Sequence, residues 1–199
     1  MARRIRRPHF YQQEEYIDFF GQRIHSILFF HRLRSKHPLV VGLDVQWKRG
    51  GSDPPPRVLQ LCVGIRCLII QLSYYSYVPY VLRSFLNDKR ITFVGVWNSQ
   101  DKGKLERFHH RLEIWRLLDV KDYLDGWLKN RSFEVIVAAC LGHEGVRKDK
   151  DICMSDWGVR DLSYDQIVQT SHDVYVCCKL GVKKQLWKVE EELKLYFVG

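Results

Sequence analysis

Hydrophobic residues in the first half of the chain fall into short runs that are bounded by turn residues. The runs LVVGLDVQW, RVLQLCVG, RCLIIQL and ITFVGVW have the length and the β-branched content of strands. The Gly- and Pro-rich residues 51–56 form a loop after the first run, and residues 64–66 join the second run to the third. The first three runs therefore predict an antiparallel meander, and RLLDV predicts one more short strand.

Helical patterns alternate with the later strands and then occupy the rest of the chain. YVPYVLRSFLND predicts a helix with Pro79 in its first turn, and SQDKGKLERFHHRLEI predicts another helix with a breaker at Gly103. Ser163 followed three residues later by Gln166 is a capping-box pattern, which predicts a helix that ends at Gly181. KKQLWKVEEELKLYF is amphipathic, and its apolar face comprises Leu186, Val189, Leu193 and Tyr196.

The order of these patterns predicts the fold class and the extent of the domain. Antiparallel strands, then alternating helices and strands, then helices predict a single α/β domain whose mixed sheet is flanked by helices. We place this domain at residues 10–199 and a basic flexible arm at residues 1–9. Within the domain, YQQEEYIDFFGQRIHSILFF is compatible with a hairpin around Gly21, and HRLRSKH with a short helical turn.

The chain carries a strong excess of positive charge. Lys and Arg number 32 and Asp and Glu 23, which gives a formal net charge of +9 and a pI near 9.3. Such an excess is typical of a protein with a polyanionic partner such as nucleic acid, although many soluble domains are basic without one. The four arginines of residues 1–9 suit phosphate binding, an address signal or plain disorder, and the sequence leaves these open.

The cysteines and the apolar runs indicate where the protein resides. The six cysteines form no CxxC pair and have no His partner at zinc spacing, so we expect reduced thiols in an intracellular compartment, cytoplasmic or nuclear. The basic first residues lack the apolar stretch of a secretory signal. No apolar run approaches the roughly 20 residues that a membrane-spanning helix needs, so we expect no membrane association.

Three aspartates occupy positions where sites form in α/β folds. Asp44 ends a strand, Asp101 follows another strand near a helix start, and Asp173 lies inside the helix that begins at Ser163. Gln46 points to the same side of its strand as Asp44 because strand side chains alternate. Clustered carboxylates hold Mg²⁺ or Mn²⁺ in phosphoryl-transfer nucleases. Taken singly, Asp101 is also explained as a helix cap and Asp173 as a surface residue.

Three blocks around these aspartates resemble the motifs of the DEDD 3′–5′ exonucleases, and specifically of Werner-syndrome-like exonuclease domains. VVGLDVQW resembles Gly-Φ-Asp-Φ-Glu-Trp, and VGVWNSQDKGKL resembles Gly-Val-Gly-Ile-x-x-Asp-x-x-Lys-Leu. LSYDQIVQTSHDVYV resembles Leu-Thr-x-x-Gln-x-x-Tyr-Ala-Ala-x-Asp-Ala-Tyr. The three blocks occur in order within residues 38–180. The resemblance implies an RNase H-like fold and a two-metal mechanism, with Asp44, Asp101 and Asp173 as ligands of Mg²⁺ or Mn²⁺.

The chain departs from this family pattern at two positions. Gln46 replaces the first-motif glutamate, so the site has three carboxylates in place of four and its affinity for Mg²⁺ is expected to fall. Gln169 replaces the third-motif tyrosine one helical turn before Asp173, and an amide cannot act as a phenol does in proton transfer. Asp165, two turns before Asp173, or an acid from another subunit are candidates for restoring the missing charge.

The function implied by the resemblance is slow 3′–5′ exonuclease action on single-stranded nucleic acid, RNA more than DNA. The alternative is a catalytically degenerate subunit of the same fold that binds nucleic acid or serves assembly. Small stand-alone plant members of the RISC-interacting clearing exoribonuclease type are also similar, which implies a homohexamer and an association with Argonaute and RISC. The candidate nucleic-acid contacts are Trp47, Lys48, Lys102 and Lys104, for which core packing and solvated surfaces are the competing interpretations.

Overall fold

The computed structural model of the protein describes residues 40–48 and 52–189. The basic arm, the hairpin around Gly21 and the short helical turn that follows it lie outside the described residues, as do Leu193 and Tyr196. Among the described residues, none of the helices combines the length and the apolarity that crossing a bilayer requires.

Within the described residues five strands form one mixed sheet in the order β3-β2-β1-β4-β5. The strand bounds are β1 Val40–Trp47, β2 Pro56–Val63, β3 Arg66–Gln71, β4 Thr92–Gly95 and β5 Leu117–Asp119. β1, β2 and β3 pair antiparallel, whereas β1 pairs parallel with β4 and β4 with β5. The meander and the α/β class predicted from the hydrophobic runs are confirmed.

The helices begin close to the predicted positions but end at different ones. Their bounds are α1 Tyr80–Leu86, α2 Asp101–Arg107, α3 Phe133–Leu141, α4 Lys150–Cys153 and α5 Tyr164–Lys183. Pro79 precedes α1 as its N-cap residue and is not part of its first turn. The second predicted helix was too long: α2 ends before Phe108, because Phe108 and Leu112 turn into the core and Arg111 takes a positive φ of 45°.

The helix α5 begins as the sequence predicts and continues past the predicted end. Ser163 Oγ accepts from the Gln166 backbone N–H at 3.2 Å, and Gln166 Oε1 accepts from the Ser163 N–H at 2.9 Å, which completes the capping box. Gly181 lies inside the helix. A Cβ there would lie 2.8 Å from Val40 Cγ1 and from Val94 Cγ2. The glycine therefore permits α5 to approach the sheet closely instead of ending the helix.

Among the described residues, two large clusters of buried apolar side chains pack on the sheet, one on each face, beside a smaller third cluster. One contains alternate residues of β1, such as Val41 and Leu43, packed against α1. The other contains Val40, together with residues of α3 and α5. Gly42 lies under α5, where an added Cβ would come within 2.0 Å of the Val174 carbonyl oxygen. Because Gly42 and Asp44 share one face of β1, this close contact brings the middle of α5 beside Asp44.

Candidate active site

Asp44 and Gln46 lie side by side at the carboxyl end of β1. Gln46 Nε2 donates a hydrogen bond to Asp44 Oδ2 at 2.7 Å, which confirms that the two side chains share a face. The amide thus directs its nitrogen, and not its carbonyl oxygen, toward the carboxylate. Gln46 replaces a second anion with a hydrogen-bond donor.

Asp173 is held on the inner face of α5 by the residue one turn before it. Gln169 Nε2 donates to Asp173 Oδ1 at 2.9 Å, and Gln169 Oε1 accepts from the backbone N–H of Asp149 at 3.1 Å. Asp173 is 1% exposed, and Gln169 is also buried. Both groups of the Gln169 amide are therefore engaged, and the residue links α5 to the segment that precedes α4.

Asp101 begins α2, just beyond the end of β4. It is 2% exposed, and its backbone N–H donates to the Asn98 carbonyl at 3.0 Å. The Asn98 amide in turn donates to the Leu118 carbonyl at 2.9 Å, which ties this turn to β5. Asp101 thus reaches the same edge of the sheet as Asp44, because β1 and β4 run parallel.

The three aspartates form one acidic cluster around Asp44, whose carboxylate raises the pKa of both Asp101 and Asp173. Burial and then the nearby Asp44 carboxylate raise the pKa of Asp101 to about 9, and Lys148 opposes them. Burial raises the pKa of Asp173 to about 6, where Lys148 opposes and Asp44 adds to the rise. Burial also raises the pKa of Asp44, against Lys148 and the Gln46 hydrogen bond. The site thus gathers three carboxyl groups where solvation of their charged forms is poor.

Lys148, which the sequence analysis did not identify, supplies the compensating charge. Its Nζ lies 3.2 Å from Asp173 Oδ2, and its side chain is 26% exposed. Burial alone would lower the pKa of Lys148, but the Asp44 and Asp173 carboxylates outweigh burial and raise it. Lys148 lies in the run VRKDKD, where basic and acidic residues are mixed. Nothing in that run predicts which of its lysines lies near the aspartates.

The cluster contains the type of oxygen ligand that divalent cations bind, but its side chains are not arranged as a complete set of metal ligands. Asp101 Oδ2 is buried and accepts no hydrogen bond, and Asp173 Oδ2 pairs with the Lys148 ammonium group. Carboxylate oxygens are the ligands that Mg²⁺ and Mn²⁺ prefer. Among the described residues, however, no three acidic, His or Cys side chains converge as metal ligands would. The Lys148 ion pair and the Gln46 amide stand among these carboxylates. The residues fit a hard cation that replaces the Lys148 ammonium group.

The acids considered for restoring the missing charge lie elsewhere. Asp165 is exposed on α5, whereas Asp173 is buried, so Asp165 does not join the cluster. Asp119, at the end of β5, is the neighbouring acid that the sequence analysis missed: its charge helps to raise the pKa of Asp101. Asp119 Oδ2 is already paired with Lys121 Nζ at 3.4 Å.

Two of the candidate nucleic-acid contacts are engaged within the protein. Lys104 is 5% exposed, and its Nζ lies 3.0 Å from Asp53 Oδ1 and donates to the Pro54 carbonyl at 2.9 Å. The same ammonium group lies 4.8 Å from the centre of the Trp47 ring, which packs against the core. A contact between Lys104 and a phosphate would require this ion pair to break. The structure gives both residues a packing role.

The other two candidates are on the surface. Lys48 is exposed and lies 3.7 Å from Asp156 Oδ2, and Lys102 lies 3.9 Å from Glu106 Oε1, one turn along α2. Such exposed pairs contribute little stability and separate easily. Both ammonium groups remain open to a phosphate, and their contact with nucleic acid stays a prediction.

Comparison with known proteins agrees with the motifs. A sequence profile of a family described as 3′-5′ exonuclease matches residues 29–190. The mouse bifunctional 3′-5′ exonuclease/ATP-dependent helicase WRN is 32% identical over 142 residues, which are 68% of this chain and 10% of the mouse protein. The chain spans 41–44% of the length of several Drosophila 3′-5′ exonucleases that it also matches.

Solved structures share the fold. Escherichia coli RNase D, described as an exoribonuclease involved in structured RNA processing, aligns with a TM-score of 0.67 and 20% identity, over 90% of this chain and 49% of that one. Brucella melitensis NrnC with bound Mg²⁺ aligns with a TM-score of 0.59 and 19% identity, over 77% of this chain and 75% of that one. At these identities the likeness concerns the fold, which is the RNase H-like mixed sheet expected from the motifs.

Proposed function

Since the chain belongs to the 3′–5′ exonuclease family, we propose that it removes nucleotides from the 3′ end of single-stranded nucleic acid, with RNA as the favoured substrate. The observation that carries the proposal is the acidic cluster: Asp44, Asp101 and Asp173 come from a strand, a helix start and a helix interior, and the Asp44 carboxylate lies near enough to raise the pKa of the other two. RNA is favoured because RNase D, which shares the fold, is described as an exoribonuclease.

The residues of the cluster divide the reaction's requirements among them. Asp44, Asp101 and Asp173 would hold Mg²⁺ or Mn²⁺, which when bound supplies Lewis-acid activation of water and charge neutralisation at the phosphate. Gln169 fixes the orientation of Asp173 through the hydrogen bond at 2.9 Å. Lys148 carries the positive charge that balances the carboxylates without a divalent cation and must move when one binds. Two missing family side chains, replaced by Gln46 and Gln169, make the proposed enzyme slow.

A catalytically degenerate nucleic-acid-binding or assembly subunit is the second candidate. The Lys148 ion pair and the Gln46 amide favour it, because both leave less negative charge for a divalent cation. A homohexamer, an association with Argonaute and a cytoplasmic or nuclear location are proposals that rest on the resemblance to the plant exoribonucleases. A hexamer would give a neighbouring subunit the opportunity to contribute the missing acid.

Digestion of end-labelled strands tests the proposal. The full chain is incubated with 5′-labelled single-stranded RNA or DNA in Mg²⁺, Mn²⁺ or EDTA, and we expect a metal-dependent ladder that shortens from the 3′ end. Asp44→Asn should abolish the ladder, whereas Asp165→Asn, an exposed aspartate of α5, should leave it unchanged. Binding without a ladder in either metal would overturn the enzymatic proposal in favour of the second candidate. Preference for the DNA strand would overturn the assignment of RNA.

A further inference from the structure

A basic pocket with one aromatic wall lies beside the acidic cluster. It has a volume of about 370 Å³ and is lined by Trp97, Lys121, Asp122, Lys129, Asn130 and Arg131. We call it the Trp97 pocket. Its size is within the range of small-ligand sites, which run from about 300 to 1,000 Å³. Its lining differs from that of a typical apolar pocket, because three of the six residues are cationic.

The aromatic wall is held by an unusual backbone. Trp97 has a φ of 58°, in the left-handed region that bulky residues rarely adopt. The motif that this segment resembles has its second glycine at this position, so a tryptophan occupies a turn made for a residue without a Cβ. The residue is 43% exposed. The fold thus accepts a costly conformation to present an indole face at the surface, as strained residues at functional sites do.

The cationic residues of the pocket lining are available to bind an anion. Lys129 and Arg131 are exposed and have no ion-pair partner among the residues that the structure describes. Lys121 is shared with Asp119 at 3.4 Å, and Asp122 is the single acid of the lining. Three cations against one anion give the lining itself a net charge of +2, or +1 when the Asp119 partner of Lys121 is counted, and this positive charge suits a phosphate.

The pocket and the acidic cluster are joined through Phe133. The Trp97 and Phe133 ring centroids are 6.4 Å apart, and Lys148 Nζ lies 5.0 Å from the Phe133 ring on its way to Asp173. Lys121 gives a second connection, because its partner Asp119 is also a neighbour of Asp101. A nucleic-acid strand with one end at the cluster would therefore pass the Trp97 pocket within a few nucleotides of that end.

We propose that the Trp97 pocket is a nucleotide-binding subsite for single-stranded nucleic acid, in which a base stacks on Trp97 and a phosphate lies among Lys121, Lys129 and Arg131. Aromatic stacking and cationic contacts to the backbone together are how proteins bind single strands without reading their sequence. The inference rests on the proposed function, since the pocket would bind the nucleotides that follow the strand end held at the acidic cluster. It adds a residue that the family motif does not supply.

Tryptophan variants test the stacking half of the inference. We measure binding of a 5′-fluorescein-labelled single-stranded RNA of about ten nucleotides by fluorescence anisotropy in EDTA, where no cleavage occurs. Trp97→Gly should weaken binding about tenfold, and Trp97→Phe should retain most of it. Trp97→Gly should not lower the melting temperature, because glycine relieves the left-handed backbone. Lost binding is then not a result of unfolding.

The matched control is Trp115, which is 44% exposed. It lies before the start of β5, whereas Lys121 of the pocket lies after the end of that strand. Trp115→Ala, which like Trp97→Gly removes the aromatic ring, should bind the RNA as the native protein does. For the cations, the double variant Lys129→Glu with Arg131→Glu should weaken binding at least tenfold at low salt. Arg160→Glu, an exposed arginine beyond Val159, whose carbonyl accepts from Gln71 of β3, should change binding far less.

The outcomes separate this inference from the proposed function. Unchanged RNA binding in Trp97→Gly and in the double charge variant would overturn the subsite, even if Asp44→Asn still abolished the 3′ ladder. A binding loss equal in Trp97→Gly and Trp115→Ala would also overturn it, because the effect would then not be specific to the pocket. Selective loss of binding together with the absence of any ladder would support the subsite and reject the exonuclease.

Discussion

At the residue scale, the acidic cluster joins three aspartates to a lysine that is distant from each of them in sequence. The carboxyl groups lie where water solvates the charged form poorly, so burial raises the pKa of each, and a positive neighbour opposes that rise. The Lys148 ammonium group, 3.2 Å from Asp173, supplies that neighbour. We therefore expect that the side chain that neutralises the metal-free cluster is also the one that a divalent cation displaces.

Replacing Lys148 should have opposite effects on stability and on metal affinity. Lys148→Met leaves the carboxylates without a partner, so we expect the metal-free protein to lose about 2 kcal/mol, less than for a fully buried pair because the lysine keeps some exposure. The same change should tighten Mn²⁺ binding about tenfold in calorimetry, because no cation has to leave. Lys150→Met, on the exposed surface of α4, is the control. Equal Mn²⁺ affinity in Lys148→Met and in the native protein would contradict this role.

The raised pKa of Asp101 predicts a pH dependence of the metal-free protein. A carboxyl with a pKa of about 9 in the fold and an ordinary value of 3.8 when unfolded binds its proton more tightly in the fold. Its contribution to stability is complete below about pH 4 and is lost as the pH rises toward 9. Burial is the main cause of this raised pKa; the Asp44 and Asp119 carboxylates add to it, and Lys148 and Lys104 oppose it.

Asp101→Asn removes that titration. We expect its melting temperature in EDTA to exceed that of the native protein by more at pH 8 than at pH 5, measured by differential scanning fluorimetry. Asp165→Asn should leave the pH dependence unchanged, because that aspartate is exposed. A native-like decline of Tm with pH in Asp101→Asn would show that another group controls the stability of the cluster.

Sequence reasoning at this scale succeeded where a side chain's position follows from periodicity. Asp44 with Gln46 and Asp173 with Gln169 share faces as strand and helix periods require, and both pairs are hydrogen bonded. Lys148 lies in an irregular segment between α3 and α4, where no period says which way a side chain points. The position of Lys148 among the carboxylates depends on tertiary structure and cannot be predicted from its spacing in the sequence.

At the element scale, the contact between α5 and β1 brings Asp173 beside Asp44. Gly42 and Gly181 remove the side chains that would otherwise separate the helix from the sheet. The sequence pattern placed the start of α5 correctly, because a capping box is a local hydrogen-bond arrangement. It placed the end wrongly, because glycine has two uses, helix termination and close packing, and only the neighbouring strand decides between them.

The close approach predicts a large effect of one methyl group. In Gly42→Ala the new Cβ would lie 2.0 Å from the Val174 carbonyl oxygen and 2.9 Å from the Cys178 backbone nitrogen, so α5 itself must move. We expect a loss of about 3 kcal/mol or more in urea denaturation. Gly126→Ala has no atom within 4 Å of the new Cβ and should change stability by no more than about 0.5 kcal/mol. Comparable losses in both variants would contradict the packing argument.

At the scale of the whole molecule, the order of apolar runs was enough to predict the α/β class, because strand and helix periods differ and the two kinds of segment alternate. The Trp97 pocket could not be predicted in that way. It combines a turn after β4 with residues 121–131, which only the folded sheet brings together. Net charge, a property of the whole chain, also says nothing about where cations gather.

The positive charge of the chain predicts a steep salt dependence of nucleic-acid binding. With a net charge of +9, binding of single-stranded RNA should displace counterions, so the logarithm of the binding constant should fall linearly with the logarithm of the salt concentration. Each phosphate contact on a single strand contributes a slope of about −0.7. Lys129→Glu with Arg131→Glu should therefore make the slope less steep by at least about 0.7, because a phosphate loses its partners in the Trp97 pocket. Trp97→Phe should leave the slope unchanged, since stacking releases no ions. The measurement is anisotropy over a salt titration, and a slope near zero in the native protein would exclude a polyanion as its main partner.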